Sequence, residues 1–417
     1  MFPQGIEGSS PSQGTMKTFY LKTFGCQGNV ADSEKIVSRY QKLGYRPTNN
    51  PATATVAIIN TCVVREAAEN RAYGLIKKLK QLQKKNPQLK IIITGCLVGA
   101  ASREPSGVRR GKLKKISADC ECVPIEKFFS LSPTRSDKRH AFVSIGNGCN
   151  NACSYCIVPL ARGREISRSF IDIIKEAKNL ARRGYSEITL IGQNVNSYGA
   201  DLVVKNKKFK LPDGKKVEPI LVKSLGKTRI PTLFPYLLEE IAKIKKFKKI
   251  SFISANPWDF SDQLIKVIAS HPQINREIHL PVQAGDNTIL KKMNRLYTRE
   301  EYLKLIKKIK KQVPDASFTT DIIVGFPGET VKQFGRTVDL YKKVGFNLAY
   351  IACYSPRIGT MAAKKFTDNV PFIEKKRRFH VLDKLINKKV DDYIKLGKFS
   401  YFTKKHLANE QKKPPQY

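Results

Sequence analysis

Three cysteines fall within eight residues, in Gly148-Cys149-Asn150-Asn151-Ala152-Cys153-Ser154-Tyr155-Cys156. At this CxxxCxxC spacing disulfide pairing is unprofitable, because one thiol is left over and the short loops would be strained. Thiolates so placed can instead close on one face of an iron–sulfur cube. Cluster irons take thiolate ligands, and a four-iron cluster held by three of them keeps one iron open for a small chelating molecule. The alternatives are a zinc loop or a structural cysteine turn. Zinc normally takes four ligands in two pairs, and no second pair or nearby His completes a set here. The spacing therefore favours the cluster. The apolar run 141–145 just before the loop has the pattern of a strand that would deliver it.

Three more cysteines share a different kind of position. The β-like runs 18–24, 56–60 and 89–94 end at Gly25-Cys26, Thr61-Cys62 and Gly95-Cys96. Helical patterns separate the runs, over 32–43 with Asp32 or Ser33 as N-cap, and from Arg65 to Lys85 before Asn86-Pro87. A βαβαβ alternation predicts parallel strands, whose C-terminal ends line one sheet edge, where ligand sites form. Cysteines distant in sequence can meet there. Any one alone could be a small buried thiol; their common placement favours a second cluster. The pair Cys120 and Cys122 has no further ligands in its neighbourhood and is taken as a bystander.

The remaining chain must position these loops. At 417 residues and 41% apolar composition it can build two or three cored domains. The expected division is a disordered leader 1–15, an N-terminal domain 16–100, an irregular basic linker 101–139, a second domain 140–370 and a basic tail 371–417. After the cysteine loop come alternating helices and strands: helix 170–183, strand 187–191, helix 233–244, strand 249–254, helix 261–270, strand 278–283, helix 298–312, strand 318–324, helix 329–344 and strand 347–354. Residues 202–230 look like an insertion or surface hairpin. About six βα units fit a partial parallel barrel, with chemistry at the C-terminal strand ends. The fold class is thus α/β, a parallel βαβ domain followed by a partial (β/α)6 barrel.

Lysine and arginine number 76 against 35 acidic residues, a net +41. Such an excess points to a polyanion, most simply nucleic acid; a solvated basic surface is the plainer alternative. No apolar run is long enough to span a membrane, and the first residues lack the regions of a signal peptide. Cysteines that must stay thiolates favour a reducing cytoplasm.

The cysteine loop and its continuation, GCNNACSYCIVPLARGREISRS, resemble the radical S-adenosylmethionine enzymes and, within them, the methylthiotransferases that act on tRNA adenosine. TFGCQGNVADSE, INTCVVREAAE, ITGCL, HLPVQAGDNTILKKMNRLYT, TTDIIVGFPGET and YSPRIGTMAA resemble further segments, so the similarity runs from about Lys17 to about Arg378. The resemblance implies two 4Fe-4S clusters and S-adenosylmethionine. One cluster would sit on Cys149, Cys153 and Cys156 and open S-adenosylmethionine to a deoxyadenosyl radical. The other, on Cys26, Cys62 and Cys96, would bring sulfur and methyl. The clusters carry the chemistry, and no side chain is singled out as catalytic. Tyr155, Gln193 and Asp321 are expected at the cofactor, with Asn194 a weaker candidate and capping an equal alternative for the polar ones. Arg162, Arg164 and Arg168 would meet phosphate or carboxylate, or pair with Glu165.

The implied reaction is methylthiolation at carbon 2 of N6-isopentenyladenosine beside the anticodon. Its partners would be a tRNA anticodon stem-loop and a flavodoxin- or ferredoxin-like electron donor, the enzyme acting as a monomer away from membranes. Sister activities on threonylcarbamoyl adenosine or on a ribosomal-protein aspartate are alternatives, as is an iron–sulfur redox or RNA-binding protein without radical catalysis. The sequence departs from the family pattern at Ala284-Gly285-Asp286, at Asn256, and at the C-terminus, where the small RNA-binding TRAM barrel is expected to be absent or cut short.

Overall fold

The computed structural model describes residues 17–203, 207–224 and 228–395. The expected leader 1–15 and the segment 397–417 lie outside them. The chain divides into two compact units, one of residues 1–98 and 112–134, the other of residues 99–111 and 135–417.

In the first unit the order is β1 (Thr18–Thr23), α1 (Gln27–Lys42), β2 (Arg46–Pro47), β3 (Val56–Thr61), α2 (Glu66–Lys85) and β4 (Lys90–Gly95), continued by α3 (Cys96–Arg103), α4 (Val108–Ile116) and β5 (Glu121–Cys122). The sheet runs β2-β1-β3-β4-β5 with every neighbour parallel. All six residues of β3 are buried, as expected of a central strand covered on both faces. Helix α1 starts directly after Cys26, its N-cap, several residues before the Asp32 or Ser33 start that cap chemistry alone predicts.

The stretch expected as an irregular linker, 101–139, is largely structured. It holds the end of α3, all of α4, and β5, which extends the sheet. The physical reason is apolar: Val123, Ile125 and Phe128 join Phe19, Ile36, Tyr40 and Ile58 in one buried cluster. Pro124, Glu126 and Lys127 between them mask that pattern in the sequence.

The second unit begins with β6 (His140–Ser144). A small antiparallel ladder of β7 (Gly146–Asn147) with β8 (Ile166–Ser167) closes the cysteine loop, inside which lies α5 (Val158–Arg162). Then come α6 (Phe170–Arg182), β9 (Glu187–Ile191), the hairpins β10 (Phe209–Lys210) with β11 (Lys216–Val217) and β12 (Ile220–Ser224) with β13 (Thr228–Thr232), and α7 (Phe234–Ala242). They are followed by β14 (Lys249–Phe252), α8 (Asp262–Ser270), β15 (Glu277–His279), α9 (Asn287–Lys292), α10 (Arg299–Gln312), β16 (Ser317–Val324), α11 (Val331–Val344), β17 (Leu348–Cys353), α12 (Met361–Lys365) and α13 (Phe372–Lys395).

Six parallel strands result, as β6-β9-β14 and β15-β16-β17. A single parallel bridge, Ile250 with Ile274, links the two groups. This is the architecture expected from the alternating pattern, and the sheet is not closed. The helices are amphipathic and capped by their own sequence. In α6, Ser169 accepts from the Asp172 N–H, and Phe170, Ile173, Ile174, Ala177 and Leu180 are buried on one face. Helices α10 and α11 start with reciprocal capping boxes, Thr298 with Glu301 and Thr330 with Gln333.

Helix α13 is pinned by a buried ion pair. Arg378 Nη1 donates to Glu329 Oε2 at 2.8 Å, and that oxygen also accepts from the Gly325 N–H at 2.7 Å. The loop after β16 and the helix are thereby tied together.

Candidate metal centres at the strand ends

In the first unit, the parallel register puts the ends of β1, β3 and β4 side by side. Two glycines permit the approach. A Cβ on Gly25 (φ +120°) would lie 2.8 Å from the Cys62 Cβ, and one on Gly95 (φ +90°) 2.5 Å from the Thr61 carbonyl oxygen. No side chain fits at either place. Buried amides lock the turns: Asn29 Nδ2 donates to Asn60 Oδ1 (3.1 Å) and the Thr61 carbonyl (2.9 Å), and Asn60 Nδ2 returns to the Asn29 carbonyl (2.8 Å). Thr61 Oγ1 accepts from the Leu97 N–H at 3.1 Å. Cys62 and Cys96 are buried while Cys26 is exposed. Burial, and then the neighbouring Cys96 and Cys26, push the Cys62 thiol up to about 11. The two thiols that act on Cys62 in this way are its neighbours, and such a set takes up metal with release of protons.

In the second unit, the cysteine loop is shaped by Gly148 (φ +84°), whose Cβ would meet the Arg164 carbonyl oxygen at 2.0 Å. The Cys149 N–H donates to the Gly163 carbonyl at 3.2 Å. The C-terminal end of α9 holds the far side. Ser154 N–H and Oγ donate to the carbonyls of Met293 (2.9 Å) and Lys292 (2.7 Å), and Asn294 Nδ2 to that of Ala152 (2.7 Å). Asn294 takes a left-handed conformation (φ 54°), as do Ser254 and Gln283 (φ 70° and 66°), which follow β14 and β15. Non-glycine residues in that region concentrate at functional sites. Burial raises the thiols of Cys149 and of Cys156, the latter to about 12, and each is raised further by a neighbouring thiol of the loop.

None of the nine cysteines is in a disulfide among the described residues. Among the described residues no group of three or more His, Cys, Asp or Glu is arranged to hold a single metal ion. Each cluster ligand binds its own iron, so the thiols of a cluster site stand further apart than the ligands of one ion. The donors present fit clusters: three thiols in each set and glycine-lined approaches. The loop also carries a buried amide, Asn151 Nδ2, that has no hydrogen-bond partner among the described residues.

The other sequence candidates are placed as follows. Gln193 Oε1 accepts from the Gly148 N–H at 2.6 Å, so its amide braces the cysteine loop. Asn194 Nδ2 donates to Asp259 Oδ2 at 3.0 Å. Asp321 lies 3.4 Å from His279 Nε2, while His279 Nδ1 contacts Thr319 Oγ1 at 3.0 Å. Tyr155 packs against the core, its phenol raised by burial and drawn back by Arg295. Arg162 is buried and donates to Asn147 Oδ1 at 3.2 Å. Arg168 donates to the Ser144 carbonyl and to Glu176, both at 2.7 Å. Both therefore stabilise the loop base; Arg164 is exposed. Asp286 caps α9 and pairs with Arg336 at 2.6 Å, which accounts structurally for the departure there.

Sequence reasoning missed the most intimate neighbour of the loop. Arg295 Nη1 donates to Cys153 Sγ at 3.5 Å, across 142 residues of chain. It missed the buried Asp259 as well, and named Glu165 only as an arginine partner. Burial raises Glu165, which accepts from Ser197, to about 7, and Asp259 to about 8. No local spacing signals any of them. A cleft of about 500 Å³ lies further out, lined by Trp258, Asp259, Tyr297, Tyr302 and residues of β12.

A radical SAM superfamily model matches residues 143–341, and a model described as uncharacterized protein family UPF0004 matches residues 18–109. The tRNA-2-methylthio-N(6)-dimethylallyladenosine synthase of Thermotoga petrophila is 42% identical over 399 residues, 90% of this chain and 84% of that protein. The protein of the same name from Staphylococcus haemolyticus is 41% identical over 415 residues, 93% of this chain and 74% of that one. A radical S-adenosylmethionine methyltransferase from Kitasatospora setae, solved with cobalamin and a 4Fe-4S cluster bound, superposes with a TM-score of 0.52 over 84% of this chain and 77% of that one. At 12% identity that likeness is one of fold.

Proposed function

The chain belongs to the radical S-adenosylmethionine methylthiotransferases, the family of the tRNA-2-methylthio-N(6)-dimethylallyladenosine synthases, and from that premise we propose how its residues serve the reaction. The enzyme adds a methylthio group to carbon 2 of N6-isopentenyladenosine in tRNA, using S-adenosylmethionine and 4Fe-4S clusters. The observation that carries our reading is the placement of Cys26, Cys62 and Cys96 after three adjacent parallel strands, together with a second set of three cysteines in the loop closed by β7 and β8. We assign Cys149, Cys153 and Cys156 to the radical cluster and Cys26, Cys62 and Cys96 to the auxiliary one. When bound, the clusters and S-adenosylmethionine supply the radical and the sulfur, chemistry beyond ordinary side chains.

The chain's own part is to hold, orient and shield. Gly148 and Gln193 set the path of the cysteine loop. Tyr155 covers its inner side and is assigned to the cofactor pocket. Asp259, raised to about 8 by burial, favours its protonated form at neutral pH, and its Oδ2 accepts from Asn194 Nδ2. Asp321 is turned toward His279, which suits it to a hydrogen bond with the bound cofactor or adenine. We take the domains to be an auxiliary-cluster domain over 16–100, joined by part of the former linker, and a radical domain over 140–370.

The excess of positive charge suits an anticodon stem-loop. Among the described residues no helix is long and apolar enough to cross a membrane. We place the enzyme in the cytoplasm, as a monomer served by a flavodoxin- or ferredoxin-like donor, where nine cysteines outside any disulfide stay reduced. The test is mass spectrometry of tRNA nucleosides after expression in a strain lacking its own enzyme. The 2-methylthio nucleoside should appear; isopentenyladenosine left unmodified would overturn the assignment.

A further inference from the structure

We propose that Arg295 is a positioning residue that raises the reduction potential of the cluster held by Cys149, Cys153 and Cys156. This rests on the assignment of those three ligands.

Arg295 follows α9 and is buried. Three nitrogens of its guanidinium are engaged. Nη1 donates to Cys153 Sγ at 3.5 Å, Nη2 to the Pro281 carbonyl at 2.9 Å, and Nε to the Tyr297 hydroxyl at 3.4 Å. Its carbon lies 4.4 Å from the centre of the Trp258 ring and 5.3 Å from that of Tyr297. Those two rings are near parallel, 21° apart with centroids separated by 6.0 Å. The buried Asp259 carboxyl, raised by burial, is drawn back by Arg295. A planar cation held by three donor bonds is fixed in place, and lysine would keep the charge beside the sulfur with fewer of those bonds.

The consequence is electrostatic. One-electron reduction places an extra negative charge on the cluster and its sulfurs. A fixed positive charge with an N–H directed at a ligand sulfur stabilises the reduced form more than the oxidised one. Burial weakens the screening that water would provide. Hydrogen bonds to cluster sulfurs are among the recognised determinants of potential. Structure alone would explain the contacts with Pro281 and Tyr297, which hold the strand end after β15. It would not need a donor on Cys153.

The test is a redox titration of the reconstituted full-length enzyme with titanium(III) citrate as the one-electron reductant, followed by electron paramagnetic resonance. The radical cluster is identified by the change S-adenosylmethionine produces in its signal. Arg295→Met should lower the midpoint potential so that the reduced-to-oxidised ratio at fixed potential falls at least tenfold, about 59 mV for one electron. Arg295→Lys should recover more than half of the shift. Iron content and circular dichroism check loading and folding. Should Arg295→Met fail to fold, Arg295→Gln, neutral but still a donor, takes its place and should also shift downward. A folded, loaded neutral variant with the wild-type potential overturns the proposal, as does a lysine variant no better than methionine. Absence of any S-adenosylmethionine-responsive cluster in the wild type would instead overturn the ligand assignment.

Discussion

Gly148→Ala should separate the shape of the cysteine loop from its chemistry. The added Cβ would lie 2.0 Å from the Arg164 carbonyl oxygen, 2.5 Å from its carbon and 2.7 Å from the Gly163 oxygen. All three are backbone atoms, so no side-chain rotation relieves the contact. The positive φ of 84° adds strain of about 1–2 kcal/mol for an L-residue. Parting the strands gives up the Cys149–Gly163 hydrogen bond and the pairing of Asn147 with Ile166, about 1 kcal/mol each. The sum is about 3–4 kcal/mol, or on the order of 10 °C in the melting temperature of a unit this size. Gly184→Ala is the control: its φ is +87°, but nothing lies within 4 Å of the new atom. It should show the strain alone, about 1–2 kcal/mol. Calorimetry of the metal-free proteins measures both. After reconstitution, Gly148→Ala should hold about half the wild-type iron, because one of two clusters is lost. If Gly148→Ala melts with Gly184→Ala and loads full iron, the loop does not depend on that close approach.

Three further outcomes follow from other contacts. Cys26→Ala should abolish methylthiolation yet leave reductive cleavage of S-adenosylmethionine, measured as deoxyadenosine; equal loss of both would refute the division of labour between the two cysteine sets. Arg378→Ala strands the buried Glu329 carboxylate and should cost about 3–5 kcal/mol in urea denaturation, partly restored by adding Glu329→Gln. Asp259 is raised from 3.8 to about 8 in the folded state, so between those values the native protein holds a proton that the unfolded chain releases. Its contribution to stability therefore falls as pH rises through that window. Asp259→Asn should flatten the decline between pH 5 and 8; an unchanged slope would show that this carboxyl is already ionised when folded.

The parallel order of β1, β3 and β4 was legible in the sequence, and so was the position of Cys26, Cys62 and Cys96 directly after those strands, because alternation and strand-end position are local patterns. So was the CxxxCxxC loop. Contacts made by long-range folding were not. Gln193 and Arg162 are polar residues beside a candidate site, and nothing local shows that they brace the loop rather than bind a ligand. Arg295 is one more cation in a lysine-rich chain until β15 and the cysteine loop meet. The two-residue strand β5 is too short to carry a period, and the apolar Val123 and Phe128 that pack near it are spaced among charges.

The ladder of β7 with β8 bears on how a cofactor is taken up. Fastening Asn147 to Ile166 closes the intervening loop, and closing about 18 flexible residues costs roughly 2–3 kcal/mol of chain entropy. That cost falls on folding of the protein, which the apolar core of the unit outweighs. Iron then meets a loop whose ends are already joined, and the free energy of coordination is not diluted by ordering the chain. A loop fastened in this way favours rapid, repeatable loading over a large gain in fold stability on binding, so the metal-free enzyme should persist as a folded acceptor between losses and repairs of its cluster.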